Sequence, residues 1–151
     1  MTRRAAAFLA VAVLAAASAT RLEAACTVSA TGVSFGTYNV FAPAPTDSTG
    51  SITYDCAPSD KNLQITLSAG NSGTFAPRGL RNGTDQLAYN LFRDAALTSV
   101  WGDGTGGSSV FFKTNPHPVK PVVLTVYGRI PPLQDVSTGS YVDTIIVTAN
   151  F

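Results

Sequence analysis

The sequence predicts an all-β fold of six to seven strands. Three observations carry that expectation. Short runs alternate apolar and polar residues, turn-forming residues punctuate them, and nothing beyond residue 24 repeats with a helical period. Two cysteines, Cys26 and Cys56, both fall inside the β-patterned region.

Residues 1–24 read as a secretory signal peptide. Arg3 and Arg4 form a positive start, and an apolar run from Ala5 to Ala19 follows, broken only by Ser18. That run is shorter than the ~20 residues a membrane-spanning helix needs, so no stable membrane insertion is expected once it is removed. Cleavage after Ala24 frees Ala25; cleavage after Ala19 would free Thr20 instead. Glu23 occupies the position where lipidation of Cys26 would want an aliphatic residue, which sets that modification aside. Removing residues 1–24 takes away Arg3, Arg4, Arg21 and Glu23, so ten basic and nine acidic residues fall to seven and eight. A net charge near −1 without a basic cluster excludes nucleic acid as the expected partner. Residues 25–151 then form one domain, long enough to bury a core.

An even cysteine count in an exported chain points to one disulfide, Cys26–Cys56. Closing that loop removes chain entropy from the unfolded state worth roughly 3.5 kcal/mol. Metal ligation would need further Cys or His, and the single histidine, His117, sits between Pro116 and Pro118.

The strands follow in order. Cys26 to Ala30 is short, and Val33 to Tyr38 continues or restarts it after Gly32. Phe41 to Gly50 reads as a loop. Ser51 to Cys56 puts Ile52, Tyr54 and Cys56 on one face. Asn62 to Ala69 puts Leu63, Ile65, Leu67 and Ala69 on one face and polar residues on the other, the mark of one buried and one wet side. Gly70 to Gly83 reads as loop. Gln86 to Arg93, Val110 to Phe112 and Val122 to Ile130 are further strands, with Pro116, Pro118 and Pro121 crowding the approach to the longest. Tyr141 to Phe151 alternates strictly to the last residue. An immunoglobulin-like β-sandwich fits this count and turn spacing, and a small barrel fits the pattern alone equally well.

No catalytic constellation accompanies these strands, so the chain is not expected to be an enzyme and no cofactor is expected. His117 has no sequence link to a nucleophile or an orienting acid. The loop from Trp101 to Ser108 lacks the Lys-Ser/Thr of a phosphate cradle and holds one acid, Asp103, so it reads as a multi-glycine turn with Trp101 at its stem. Asn82-Gly83-Thr84 matches a glycosylation sequon but reads better as a turn. Phe111 and Phe112 are neighbours on a strand, so one should face outward, which makes the pair a candidate contact surface.

Four segments in order, CTVSATGVSFGTYNV, SITYDC, LAYNLFRDAALTSVWGDGTGG and GSYVDTIIVTANF, resemble the spore coat protein U domain family. That family includes subunits of archaic, Csu-type chaperone–usher pili. The resemblance implies an immunoglobulin-like sandwich lacking its final strand. A periplasmic chaperone fills the gap first, and another pilin subunit replaces it at the outer-membrane usher. It further implies that Cys26 and Cys56 join the first two strands, and that Ile145, Val147, Ala149 and Phe151 line or border an open acceptor groove. The expected location is the periplasm in transit, then the cell surface. Only Ala25 would precede Cys26 in the mature chain, too little for a donor strand, so a tip or terminator position is expected. Two alternatives stand beside this: a secreted coat or biofilm-matrix protein that folds alone, and a tip adhesin whose glycan-binding surface includes Phe111 or Phe112.

Overall fold

The computed structural model describes residues 26–151; the expected signal peptide, its cleavage positions and the segment ahead of Cys26 lie outside the described residues. Eight strands form two sheets: β1 (Thr27–Thr31), β2 (Thr46–Asp55), β3 (Leu63–Leu67), β4 (Arg78–Asn82), β5 (Asp85–Phe92), β6 (Phe111–Lys113), β7 (Val122–Ile130) and β8 (Val147–Asn150). One sheet runs β1-β2-β7-β5-β4 and the other β6-β3-β8. Every pairing is antiparallel. A single 3₁₀ turn, Gly70–Ser72, is the only helical element among the described residues, and none of them forms a helix long and apolar enough to cross a membrane.

The period-two pattern decides which side of each strand is buried. Leu63, Ile65 and Leu67 of β3 are 0, 0 and 2% exposed. They meet Ile52 and Tyr54 of β2, Leu87, Tyr89 and Leu91 of β5, and Val126 and Ile130 of β7, with Trp101 closing one end. Each such aliphatic side chain, fully enclosed, contributes about 1.5–3 kcal/mol.

Two segments read as loops are strands. Thr46 to Gly50 extends β2 because β7 is long enough to pair with all of it, Thr46 opposite Ile130. Its residues are small and polar, so apolar alternation could not reveal it. Arg78–Asn82 is β4, paired with β5 across a two-residue turn in which Gly83 takes φ 58°. Conversely, Val33 to Tyr38 has no ladder partner, and only Val147–Asn150 of the final alternating stretch is paired as a strand. Both lack strand character for the same reason: no described strand runs beside them as a ladder partner, the isolated Arg81–Val142 bridge apart.

Candidate functional site

Those two under-paired segments face each other across an open cleft of about 1000 Å³. One wall is Val33 to Phe41 and the other Val136 to Asp143; Leu80, Leu87 and Ile130 form the floor. The first wall crosses directly over β7. A Cβ on Gly128 would lie 2.7 Å from the Phe35 ring and 2.8 Å from Val33, so only glycine permits that approach.

Burial along the walls departs from the rest of the sandwich. Val28, Val33, Phe35 and Tyr38 on one side, and Tyr141, Ile145, Val147 and Ala149 on the other, pack against the core yet stay only half-buried. No residue from 26 to 51, and none from 131 to 151, is fully buried. Alternation has sorted these side chains inward, and none of the described residues covers them fully.

The backbone tells the same story. Ser68 N–H donates to the Ile146 carbonyl at 2.9 Å, and Ile146 N–H donates to Ser68 Oγ, so Ile146 directs both groups toward β3. Antiparallel pairing alternates, which turns the N–H and C=O of Ile145, Val147 and Ala149 to the free edge of β8. The edge thus presents unpaired donors and acceptors above an apolar floor.

Directional bonds hold the walls in place. Tyr38 Oη donates to the Pro131 carbonyl at 3.0 Å and accepts from Gln134 N–H at 2.9 Å. The Gln134 amide pairs with both backbone groups of Ala88, at 2.7 and 2.9 Å. On the second wall, Arg81 and Val142 exchange backbone bonds at 2.8 and 3.0 Å. Asp143 accepts from Tyr89 Oη and from Asn71 N–H, both at 2.7 Å. Burial, followed by the bond to Asp143, pushes the Tyr89 phenol well above its ordinary range.

Behind this wall lies a fully buried cation. Arg78 donates to the Ser68 carbonyl from Nε (3.1 Å) and Nη2 (2.9 Å), to the Trp101 carbonyl (2.6 Å) and to Asn90 Oδ1 (2.8 Å). Its guanidinium also stacks 4.8 Å from the Phe75 ring centre. Burial lowers its pKa, while Tyr89, Asp143 and Asp103 pull it back up. Sequence reasoning passed over Arg78, since one arginine in a Gly- and Pro-punctuated stretch carries no burial signal.

The candidates named from sequence fall as follows. Cys26 and Cys56 are joined as a disulfide, tying the start of β1 to the end of β2. Ile145, Val147 and Ala149 lie inward on the segment that continues the second wall beyond Asp143, next to the cleft but not among the residues that line it. Phe151 is exposed. Phe111 packs on Tyr54 and Trp101, with ring centres 5.8 and 6.4 Å apart, and Phe112 points outward. The walls at Val33 to Phe41 and Val136 to Asp143 were not anticipated as a site, although the Val33/Phe35 alternation was visible.

Chemistry other than binding finds little footing among the described residues. Cys26, Cys56 and Asp60 lie within metal-ligating reach of one another, but the two sulfurs are bonded together and Asp60 Oδ2 accepts the Ala57 N–H. The Trp101–Ser108 loop is a glycine turn with positive φ at Gly104, Gly106 and Gly107, and Asp103 caps it through Thr105. Trp101 anchors its stem by donating Nε1–H to the Ile65 carbonyl.

Comparison with known proteins gives three results. A model of the Spore Coat Protein U domain matches residues 10–148. Protein U of Myxococcus xanthus is 34% identical over 85 residues, 55% of this chain and 45% of that protein, so the chain spans under half the length of this curated relative. A chain from the CsuC–CsuE chaperone–tip adhesion subunit pre-assembly complex, of the archaic chaperone-usher Csu pili of Acinetobacter baumannii, superposes with a TM-score of 0.58. That match covers 83% of this chain and 39% of the other at 23% identity, and it shows a shared all-β fold.

Proposed function

The chain belongs to the Spore Coat Protein U domain family, and from that premise we propose that it is an exported structural subunit of a chaperone–usher surface fibre, completed by a strand from a partner. The observation that carries this reading is the pair of half-buried apolar walls around an open cleft, with the free edge of β8 beside it. An extended segment laid along that edge would bond to the backbone of Ile145, Val147 and Ala149. Its alternate side chains would enter the cleft and cover the inward faces. A periplasmic chaperone would supply such a segment first, and another subunit would replace it at the usher. The role is structural, and its place of work is the cell surface.

Within the fibre we propose a tip or terminator position, which the tip adhesion subunit complex among the structural neighbours supports. Gold labelling of fibres tests it: label confined to fibre ends fits, and label spaced along the shaft refutes it.

A second reading, a secreted coat protein that folds alone, draws on the spore coat description of the family. Expression of the domain in an oxidising periplasm, with and without its chaperone, separates the two. Recovery only as a one-to-one chaperone complex supports the subunit reading. A stable free monomer that neither chaperone nor an apolar extended peptide stabilises overturns it.

A further inference from the structure

The sandwich is open along a second edge, whose lining shares no residue with the first cleft. It arises because β5 leaves the sheet early. β5 pairs with β7 only through Asn90, Leu91 and Phe92, opposite Arg129, Gly128 and Tyr127. At Arg93 the chain turns into a hairpin, with Arg93 N–H donating to the Ser99 carbonyl and Trp101 N–H to the Leu91 carbonyl. Since Leu91 faces Trp101, Asn90 and Phe92 face β7, and alternation points the backbone groups of Tyr127, Thr125 and Val123 the same way. Past Tyr127 no strand among the described residues meets them.

A depression of about 270 Å³ lies against this bare stretch, walled by Phe111 and Trp101 with Arg93 among its lining residues. The Arg93 guanidinium sits 6.0 Å from the Phe111 ring centre and has no ion-pair partner among the described residues. Two more exposed cations lie along the flanking chain: Lys113 ends β6, two residues past Phe111, and Lys120 just precedes β7. The other described cations are elsewhere or committed. Arg78 is buried, Arg129 pairs with Asp47, Lys61 bonds the Pro58 carbonyl, and Arg81 lies on β4. Free positive charge therefore gathers where β7 is unpaired.

We propose that this edge accepts a short extended peptide segment of a partner protein, carrying a carboxylate that meets Arg93. The bare N–H and C=O groups of Val123 and Thr125 match the spacing of another strand. The Arg93 fork suits a carboxylate, and the two lysines favour an acidic flank. An acidic sugar fits less well, because Trp101 is 1% exposed and the Arg93 guanidinium already lies over the Phe111 ring. The site is independent of strand exchange in the first cleft.

Fluorescence anisotropy with two labelled peptides on the intact oxidised protein tests the proposal. One is acetyl-Thr-Val-Asp-Val-Thr-amide, and the other replaces its Asp by Lys. The Asp peptide is expected to bind saturably, at least tenfold more tightly than the Lys peptide. Arg93→Glu should reverse that preference. Thr125→Pro should abolish binding of both, since it removes an N–H that faces the free edge and leaves the β2 ladder intact. Melting curves check that each variant folds, and Arg93→Gln replaces the glutamate variant if it does not. Absence of saturable binding overturns the proposal, as does binding that ignores both substitutions. A uronate oligosaccharide that competes through Arg93 but is indifferent to Thr125→Pro would make this a sugar site and overturn it too.

Discussion

If a partner strand lies along the free edge beside the cleft, truncating an inward side chain that it would cover should weaken the partner's hold more than a truncation in the closed core. Ile145 and Ile65 make the comparison. Ile65 is 0% exposed, whereas Ile145 packs on the same core half-open. Cutting a fully enclosed isoleucine to alanine costs about 2–5 kcal/mol. For the half-open Ile145 of the free subunit, roughly half applies, about 1–2.5 kcal/mol. Once a strand covers it the whole penalty is felt, so Ile145→Ala should lose a further ~1–2.5 kcal/mol in the complex. At 1.4 kcal/mol per decade that is roughly 5- to 70-fold weaker strand binding.

Ile65→Val is the control. Its cost of about 0.5–1.5 kcal/mol falls on free and complemented protein alike, so strand affinity should move less than about twofold. The assay pairs urea unfolding of the free subunit with titration of an extended alternating peptide; displacement from the chaperone complex serves if the free subunit is short-lived. The reasoning is refuted if Ile145→Ala destabilises the free protein by the full amount while strand affinity stays put. Ile145 would then sit in a core that closes itself.

Four further outcomes follow from particular contacts. Arg78→Met strips donors from the Ser68 and Trp101 carbonyls and Asn90 Oδ1, and should cost about 3–5 kcal/mol in chemical denaturation; a variant as stable as wild type would mean that desolvation of the cation outweighs its bonds. Cys26→Ser or Cys56→Ser should cost about 2–5 kcal/mol, and a melting point within a few degrees of wild type would contradict a structural role for the bond. Gly128→Ala drives a Cβ into Phe35 and Val33, so it should cost about 1–3 kcal/mol and alter peptide binding by shifting the wall; unchanged binding and stability would deny the close crossing. The Arg129 fork, bonded at 2.7 and 2.6 Å, holds the Asp47 carboxyl below its ordinary 3.8. Its contribution is present above pH 3.8 and is lost as pH falls through the lowered folded value; at this solvent-screened pair it is at most about 1 kcal/mol, and Asp47→Asn should flatten that acid limb.

The sequence was legible where side-chain alternation and burial coincide. Leu63/Ile65/Leu67, Leu87/Tyr89/Leu91 and Ile52/Tyr54/Cys56 all face the core, and β7 begins and ends at the expected residues. It was opaque where pairing, and not side-chain character, makes the strand. Thr46 to Gly50 is polar, yet β7 draws it into the ladder. Arg78–Asn82 looks like loop because its burial is polar, through Arg78. The reverse error, expecting a strand at Val33 to Tyr38, has an informative cause. Its alternation is that of a strand, and the missing ingredient is a neighbour. The same shortfall leaves only four residues of Tyr141 to Phe151 as a strand. Pattern reports what a segment is built to do beside a neighbour, and structure reports which neighbours the chain itself supplies.

An open apolar cleft ought to shrink, since every Å² of apolar surface removed from water is favourable. What opposes collapse here is directional and polar. Tyr38, Pro131, Gln134 and Ala88 form one set of bonds that fixes the first wall to β5. Tyr89, Asp143 and Asn71, with the Arg81–Val142 bridge, fix the second wall to β4, β5 and the 3₁₀ turn. Closing the gap would have to break bonds in one set or the other, and the costliest is at Tyr89, whose buried hydroxyl, left unsatisfied, costs about 1–3 kcal/mol. The walls are therefore held at a separation set by hydrogen bonds, while the floor between them stays apolar. Such a cleft rewards an occupant that brings both backbone groups and alternating apolar side chains, and an extended strand is the polypeptide conformation that supplies them together.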